Sequence, residues 1–329
     1  VLDRLLEETW LDIEGVSGTS AGAMNAVALV NGLASGGREG ARALLAEFWE
    51  KVSAAAAFSP VQRTPMDRFF GGWRLDQSPM YNWMELWSQF FSPYEFNPFD
   101  INPLRKIVDE TFDFDAVNGP DAPKLFQSAT NVRTGRMTLF NQPDVSVLTT
   151  MASACLPSLY QAVEIGDEAY WDGGYMGNPP LFPLMGATKS KDLIVVQINP
   201  MMRDEIPRKT AEINNRLNEI IFNSSLVNEL RTAGYIYNKM RLENVELQGF
   251  GQGRLHRIAD EETMRTLSAT SKMNASPDFM AFLFEKGRNS AEDWLETDAK
   301  ELGKKTSWIP PMIQDQLTYD GAPTGKANA

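Results

Sequence analysis

Leu2, Leu5 and Leu6 recur at helical spacing, which predicts that the chain opens in a helix. Apolar and polar positions then interleave through Leu11-Asp-Ile-Glu-Gly-Val-Ser17 as in a strand, and residues 21–33 follow as a helix of small side chains suited to close packing on a sheet. Glycines between positions 32 and 40 interrupt that helix, and Leu44, Leu45, Phe48 and Trp49 resume the helical period over residues 41–53. After Pro103 a short helix leads to two strand-like runs, 124–130 and 136–140, parted by a turn at Thr134-Gly135. Residues 146–156 read as a helix, and 162–171 as a tight hairpin that turns at Gly166-Asp167 and delivers Asp172 to a strand end. Asp192-Leu-Ile-Val-Val-Gln-Ile198 is an apolar run bounded by polar residues, as in a sheet covered on both faces. Amphipathic helices dominate 209–248 and 261–303, and the Gly-, Pro- and Ala-rich residues 320–329 predict a disordered tail.

Residues 58–100 break from this pattern. Twelve of these 43 residues are Phe, Tyr or Trp, against 10% aromatic content in the whole chain. Met80, Trp83, Met84, Trp87 and Phe91 fall at helical spacing. Such a stripe suits a cap helix packed on its own domain; the sharper reading is a lid around an acyl-chain pocket, with Trp83, Trp87 and Phe91 binding substrate.

Candidate chemistry starts at Gly18-Thr-Ser20-Ala-Gly22, which stands between the predicted strand and the small-residue helix. A serine hydroxyl is a weak nucleophile, so a fold that uses one holds it on a sharp strand-to-helix turn, beside a base and near backbone N–H donors. Glycines two before and two after Ser20 permit that turn; a plain strand-to-helix connection is the simpler alternative. The base has two candidates. His256, the one histidine, lies in Gly253-Arg-Leu-His-Arg257 and would give the chain order serine, acid, histidine. Asp172, in Trp171-Asp-Gly-Gly-Tyr175, has two following glycines that leave its carboxylate approachable, although many Asp-Gly pairs are only turns.

Composition narrows the partners. A net charge of −12, from 31 Lys and Arg against 43 Asp and Glu, opposes nucleic-acid binding and general attraction to anionic lipid. Membrane contact would rest on apolar groups instead. One histidine and one cysteine, Cys155, build neither a histidine-rich metal site nor an intrachain disulfide, so no metal is expected. With no apolar run near the ~18 residues of a span and no signal-peptide pattern, the chain is expected to be soluble and cytoplasmic.

Three motifs in order, Gly18-Thr-Ser-Ala-Gly22, Ala152-Ser-Ala-Cys-Leu-Pro157, and Asp172-Gly-Gly174 with Asn178-Pro179, resemble the patatin-like phospholipase family over roughly residues 1–199. The likeness is to bacterial members with an extended helical C-terminus. It implies a three-layer α/β/α fold with a central, mostly parallel sheet, a catalytic domain over 1–205 with the 58–100 insertion, and a C-terminal helical extension over 206–319. It implies a serine–aspartate dyad without cofactor, Ser20 as nucleophile and Asp172 as base, with Gly18, Gly22, Gly173 and Gly174 shaping the turns. His256 then becomes a bystander. The Ala21 N–H would be one oxyanion donor, and the family's glycine-rich oxyanion loop is expected before Val1. Lipid acyl-ester hydrolysis is the implied activity, with possible peripheral membrane contact. A short-chain esterase, a storage-polyester depolymerase and a non-enzymatic lipid- or partner-binding scaffold are the alternatives.

Overall fold

A computed structural model describes residues 1–57, 90–243 and 253–310, with residues 63, 72, 73, 75, 78, 80 and 83 between the first two stretches. Met84, Trp87 and residues 320–329 lie outside the described residues. Among the described residues the α-helices are α1 (Leu2–Leu5), α2 (Ala21–Ala56), α3 (Pro93–Phe96), α4 (Pro103–Thr111), α5 (Phe114–Val117), α6 (Val147–Ser153), α7 (Phe182–Ala187), α8 (Thr210–Glu243), α9 (Glu261–Thr266) and α10 (Pro277–Thr297).

One five-stranded sheet holds β1 (Gly15–Gly18), β2 (Lys124–Asn131), β3 (Met137–Asn141), β4 (Val163–Ile165) and β5 (Glu168–Asp172). Its pairing is mixed: β1 runs parallel to β2, while β3 and β5 run antiparallel to β2 and β4 antiparallel to β5. Parallel pairing therefore does not predominate, because short turns return β3 and β5 against their neighbours; the β4–β5 turn places Gly166 at φ +62°.

The register fixes what matters for function. Gln127 of β2 faces Gly18 on one edge and Phe140 of β3 on the other. Two residues on, Ala129 faces Thr138 of β3 and Asp172. Since β3 takes one edge throughout, β1 and β5 share the other, arriving from opposite directions with their C-terminal ends toward each other.

The alanines of α2 let it lie close against β1 and β2, and Met24, Val27, Leu29 and Val30 join Phe48, Val108, Phe112, Leu125 and Met151 in the main core. Phe48 stacks on Phe112 with centroids 5.1 Å apart. The expected glycine break is narrower than the sequence suggests, with only Gly36 and Gly37 leaving helical geometry.

A second sheet pairs β6 (Asp192–Gln197) in parallel with β7 (Arg254–Ala259). The C-terminal extension thus contributes a strand as well as helices, and the β6–β7 sheet spans the expected boundary at residue 205. Leu181, Val195, Leu226 and Leu230 pack α8 on β6, and Leu5, Ile258, Ala291 and Trp294 join α1, β7 and α10. Within the aromatic insertion, Trp73 packs against both Phe279 and Phe282 of α10, with centroids 5.1 and 5.0 Å away. That residue, partly buried, is packed on the extension. Met80, Trp83 and Phe91 are exposed.

Candidate active site

β1 ends at Gly18, and the chain reverses into α2 through Thr19 and Ser20. Ser20 takes φ +56° and ψ −124°, a conformation that side-chain-bearing residues rarely hold without support. Support comes from the backbone bonds Gly22 N–H to Thr19 O (2.8 Å) and Ala23 N–H to Ser20 O (2.9 Å). A Cβ on Gly18 would stand 2.2 Å from the Gly22 carbonyl oxygen, so only glycine fits there. The second glycine of the motif has a different role, since a Cβ on Gly22 would meet nothing within 4 Å.

Buried hydroxyl groups whose bracing role sequence reasoning missed hold this turn. The Ser20 N–H donates to Ser153 Oγ at 3.1 Å, which ties the elbow to the last residue of α6. Thr19 Oγ1 and Ser128 Oγ lie 2.7 Å apart and both reach the Gly177 carbonyl, at 2.6 and 2.5 Å. All three side chains are buried. Ser153 belongs to the Ala152–Pro157 motif, which was the one available signal. Ala21, at the first helical position, carries an N–H with no acceptor inside the helix and sits at the positive end of the α2 dipole.

Asp172 is the last residue of β5 and has no exposed surface. Its N–H donates to the Cys155 carbonyl at 2.7 Å, and its own carbonyl accepts from Thr130 Oγ1 at 2.8 Å. Oδ1 accepts the Gly174 N–H at 2.7 Å, whereas Oδ2 has no hydrogen-bond partner of ordinary geometry. Burial pushes the carboxyl up to about 6; the Ser20 side chain, the Gly174 N–H and the Lys272 charge each act against that rise. The two glycines after Asp172 are sterically required, because a Cβ on Gly173 would lie 2.1 Å from the Ser128 carbonyl and one on Gly174 2.2 Å from the Phe222 ring.

Ser20 and Asp172 are therefore brought together, and His256 is engaged elsewhere. His256 lies on β7, fully buried, with Nε2 3.0 Å from Asp192 Oδ1 and Nδ1 2.9 Å from Ser307 Oγ. Both ring nitrogens are occupied. Arg254 also binds Asp192 through two hydrogen bonds of 2.7 and 2.6 Å, which holds that carboxyl far below the usual range. Cys155, the other candidate nucleophile by residue type, is buried, and its thiol is pushed up to about 12. Among the described residues no group of three or more His, Cys, Asp or Glu side chains is placed to hold a metal ion, and no helix is long and apolar enough to cross a membrane.

The arrangement combines a strained serine at a helix N-terminus with a desolvated carboxylate that has a free oxygen, the parts needed for acyl transfer. No curated protein matches the chain at a significant level. A family model, patatin-like phospholipase, matches residues 1–185, more than half of the chain, and takes in both Ser20 and Asp172. The α/β fold and this match together place the chain in the patatin-like phospholipase family, whose domain is that of a lipid acyl hydrolase.

Proposed function

We propose that the protein hydrolyses acyl esters of lipids with Ser20 and Asp172 as a catalytic dyad. The observation that carries this reading is the meeting of β1 and β5 along one edge of β2, which sets the Ser20 side chain against a buried carboxyl whose Oδ2 is unpartnered. Oδ2 takes the Ser20 proton as Oγ attacks the ester carbonyl. The carbonyl oxygen becomes an oxyanion, which the Ala21 N–H and the α2 dipole stabilise. Collapse breaks the ester bond, and protonated Asp172 returns its proton to the leaving alcohol. Asp172 next deprotonates water, which attacks the acyl-serine; collapse breaks the acyl–Oγ bond, the fatty acid leaves, and protonated Asp172 returns its proton to Ser20 Oγ. A carboxyl poised near 6 is a far better base than an ordinary aspartate near ~4, and remains ionised at neutral pH.

Access to lipid is assigned to apolar surface, because a net charge of −12 does not draw the chain to anionic bilayers. Met80, Trp83, Phe90 and Phe91 are exposed, as are Ile213, Leu217 and Ile220 along one stripe of α8. The test is reaction with a fluorophosphonate followed by peptide mapping. Modification of Ser20 with loss of lipid hydrolysis supports the dyad; hydrolysis that persists in Ser20→Ala overturns it.

A further inference from the structure

Three basic side chains, Arg203, Arg216 and Lys272, gather about Glu219, and Lys272 also reaches toward Asp172. Glu219 of α8, only 5% exposed, is bound by two arginines at once, Arg203 and Arg216. Together these three residues already carry a net +1. Lys272 adds another charge beside them, close enough for both Glu219 and Asp172 to attract its ammonium. Among the described residues Lys272 forms no ion pair. Its Nζ lies over the Phe222 ring, 4.8 Å from the centroid; the residue keeps exposed surface, while desolvation around the ammonium pushes it below the usual lysine range, so that an anion delivered there would restore its charge.

Phe222 links this cation to the chemistry. The same ring fills the space that a Cβ on Gly174 would need, and the Gly174 N–H is the donor that holds Asp172 Oδ1. One aromatic ring thus touches both the ammonium and the turn of the catalytic base. Asn178 fixes the ring's helix in place, donating from Nδ2 to the Phe222 carbonyl at 2.7 Å and from its N–H to Ser225 Oγ at 2.9 Å. An exposed, unpaired cation with two arginines behind it will favour an anion at this mouth, and a phosphate offers the charge and acceptor oxygens to use it.

We propose that Lys272, backed by Arg203 and Arg216, receives the phosphate of the ester substrate's head group, so that the C-terminal extension selects phosphate-bearing lipids over neutral ones. This rests on the Ser20–Asp172 reading for the position of the ester, and the two are separable by experiment. Lys272→Gln and Lys272→Arg are assayed on two soluble dibutyryl esters, one a glycerophosphodiester and one a neutral glycerol. In Lys272→Gln the ratio of kcat/KM for the phosphodiester over the neutral ester falls about ten-fold, as loss of one charge-assisted contact predicts, and Lys272→Arg restores most of it. An unchanged ratio, or one that falls equally in Lys272→Arg, overturns the assignment. Binding of a non-hydrolysable diether glycerophosphodiester to Ser20→Ala, with and without Lys272→Gln, tests it without catalysis: equal affinity in the two proteins overturns it whatever becomes of the dyad. Inorganic phosphate distinguishes the source of the anion. Weak competitive inhibition that disappears in Lys272→Gln supports the site, and phosphate binding as tight as that of the diether would overturn the head-group reading in favour of a free-anion site.

Discussion

Gly174 donates its N–H to Oδ1 of Asp172 at 2.7 Å, and this single bond divides the carboxylate into two unlike oxygens. Oδ1 is fixed, while Oδ2, on a residue with no exposed surface, keeps an unused lone pair. A carboxylate held this way is destabilised as an anion and ready to take a proton.

The pH dependence of hydrolysis follows. With the Asp172 carboxyl near 6, kcat/KM holds steady above neutrality and falls about ten-fold per pH unit below 6 as the base is protonated. A pH–rate profile with its acid limb near 4 instead would mean that Asp172 is not desolvated in the working enzyme.

The same raised value has a cost in stability, and its sign is definite. Because the folded pKa lies above the unfolded one, the native state binds more protons between pH ~4 and ~6, so this group's contribution falls as pH rises through that window. Asp172→Asn removes the buried anion, and its amide can still accept the Gly174 N–H. The variant is expected to lose hydrolysis at least 10³-fold and to be more stable at pH 8 by about 1–3 kcal/mol, a gain that fades below pH ~4. Denaturant titrations of both proteins at pH 8 and pH 4 check it.

Backbone strain at Ser20 gives a paired prediction. Ser20→Ala and Ser20→Gly both abolish hydrolysis, but only glycine accepts φ +56° without penalty. Ser20→Gly is expected to be more stable than Ser20→Ala by about 1 kcal/mol, the released strain less the added entropy of the unfolded chain. Equal melting temperatures would show that the turn is relaxed.

The two motif glycines are expected to respond in opposite ways. Gly18→Ala forces a methyl against the Gly22 carbonyl, and the elbow must distort, with a stability loss of about 3 kcal/mol or more and no hydrolysis. Gly22→Ala enters open space inside a helix and is expected to hold or raise stability, by up to about 1 kcal/mol. Thermal unfolding of the pair decides it.

His256→Ala removes a fully buried ring from between Asp192 and Ser307 and is expected to cost about 2–4 kcal/mol. Because the ring is not part of the dyad, kcat at a temperature where the variant is folded stays within about two-fold. Loss of kcat in a fully folded protein would return His256 to the chemistry.

The local parts of the site were legible in the sequence because each is a short run: an elbow between strand and helix, and an aspartate with two glycines at a hairpin's end. Their meeting was not, since it depends on Gly18 and Asp172 taking positions two residues apart on one edge of β2, a matter of register between segments more than 100 residues apart. Thr19 and Ser153 stand inside recognised motifs, but their bracing contacts, and Ser128 altogether, were hidden for the same reason. β7 escaped notice because its inward positions are His256 and Ile258, so a polar residue occupies a place where alternation calls for an apolar one. His256, beside arginines, reads as either a surface or a packing residue, and Asp192 and Ser307 around it show packing.

The pairing of β6 with β7 bears on how the molecule could be divided. All six residues of β6 find partners in a strand more than fifty positions later, beyond both the matched segment and the expected domain boundary. A chain cut after residue 205 would keep β6 and lose the strand that satisfies that edge, leaving backbone donors and acceptors open to any other chain. Such a fragment would contain both Ser20 and Asp172 and still tend to self-associate through β6, so the smallest well-behaved unit is longer than the smallest recognisable one.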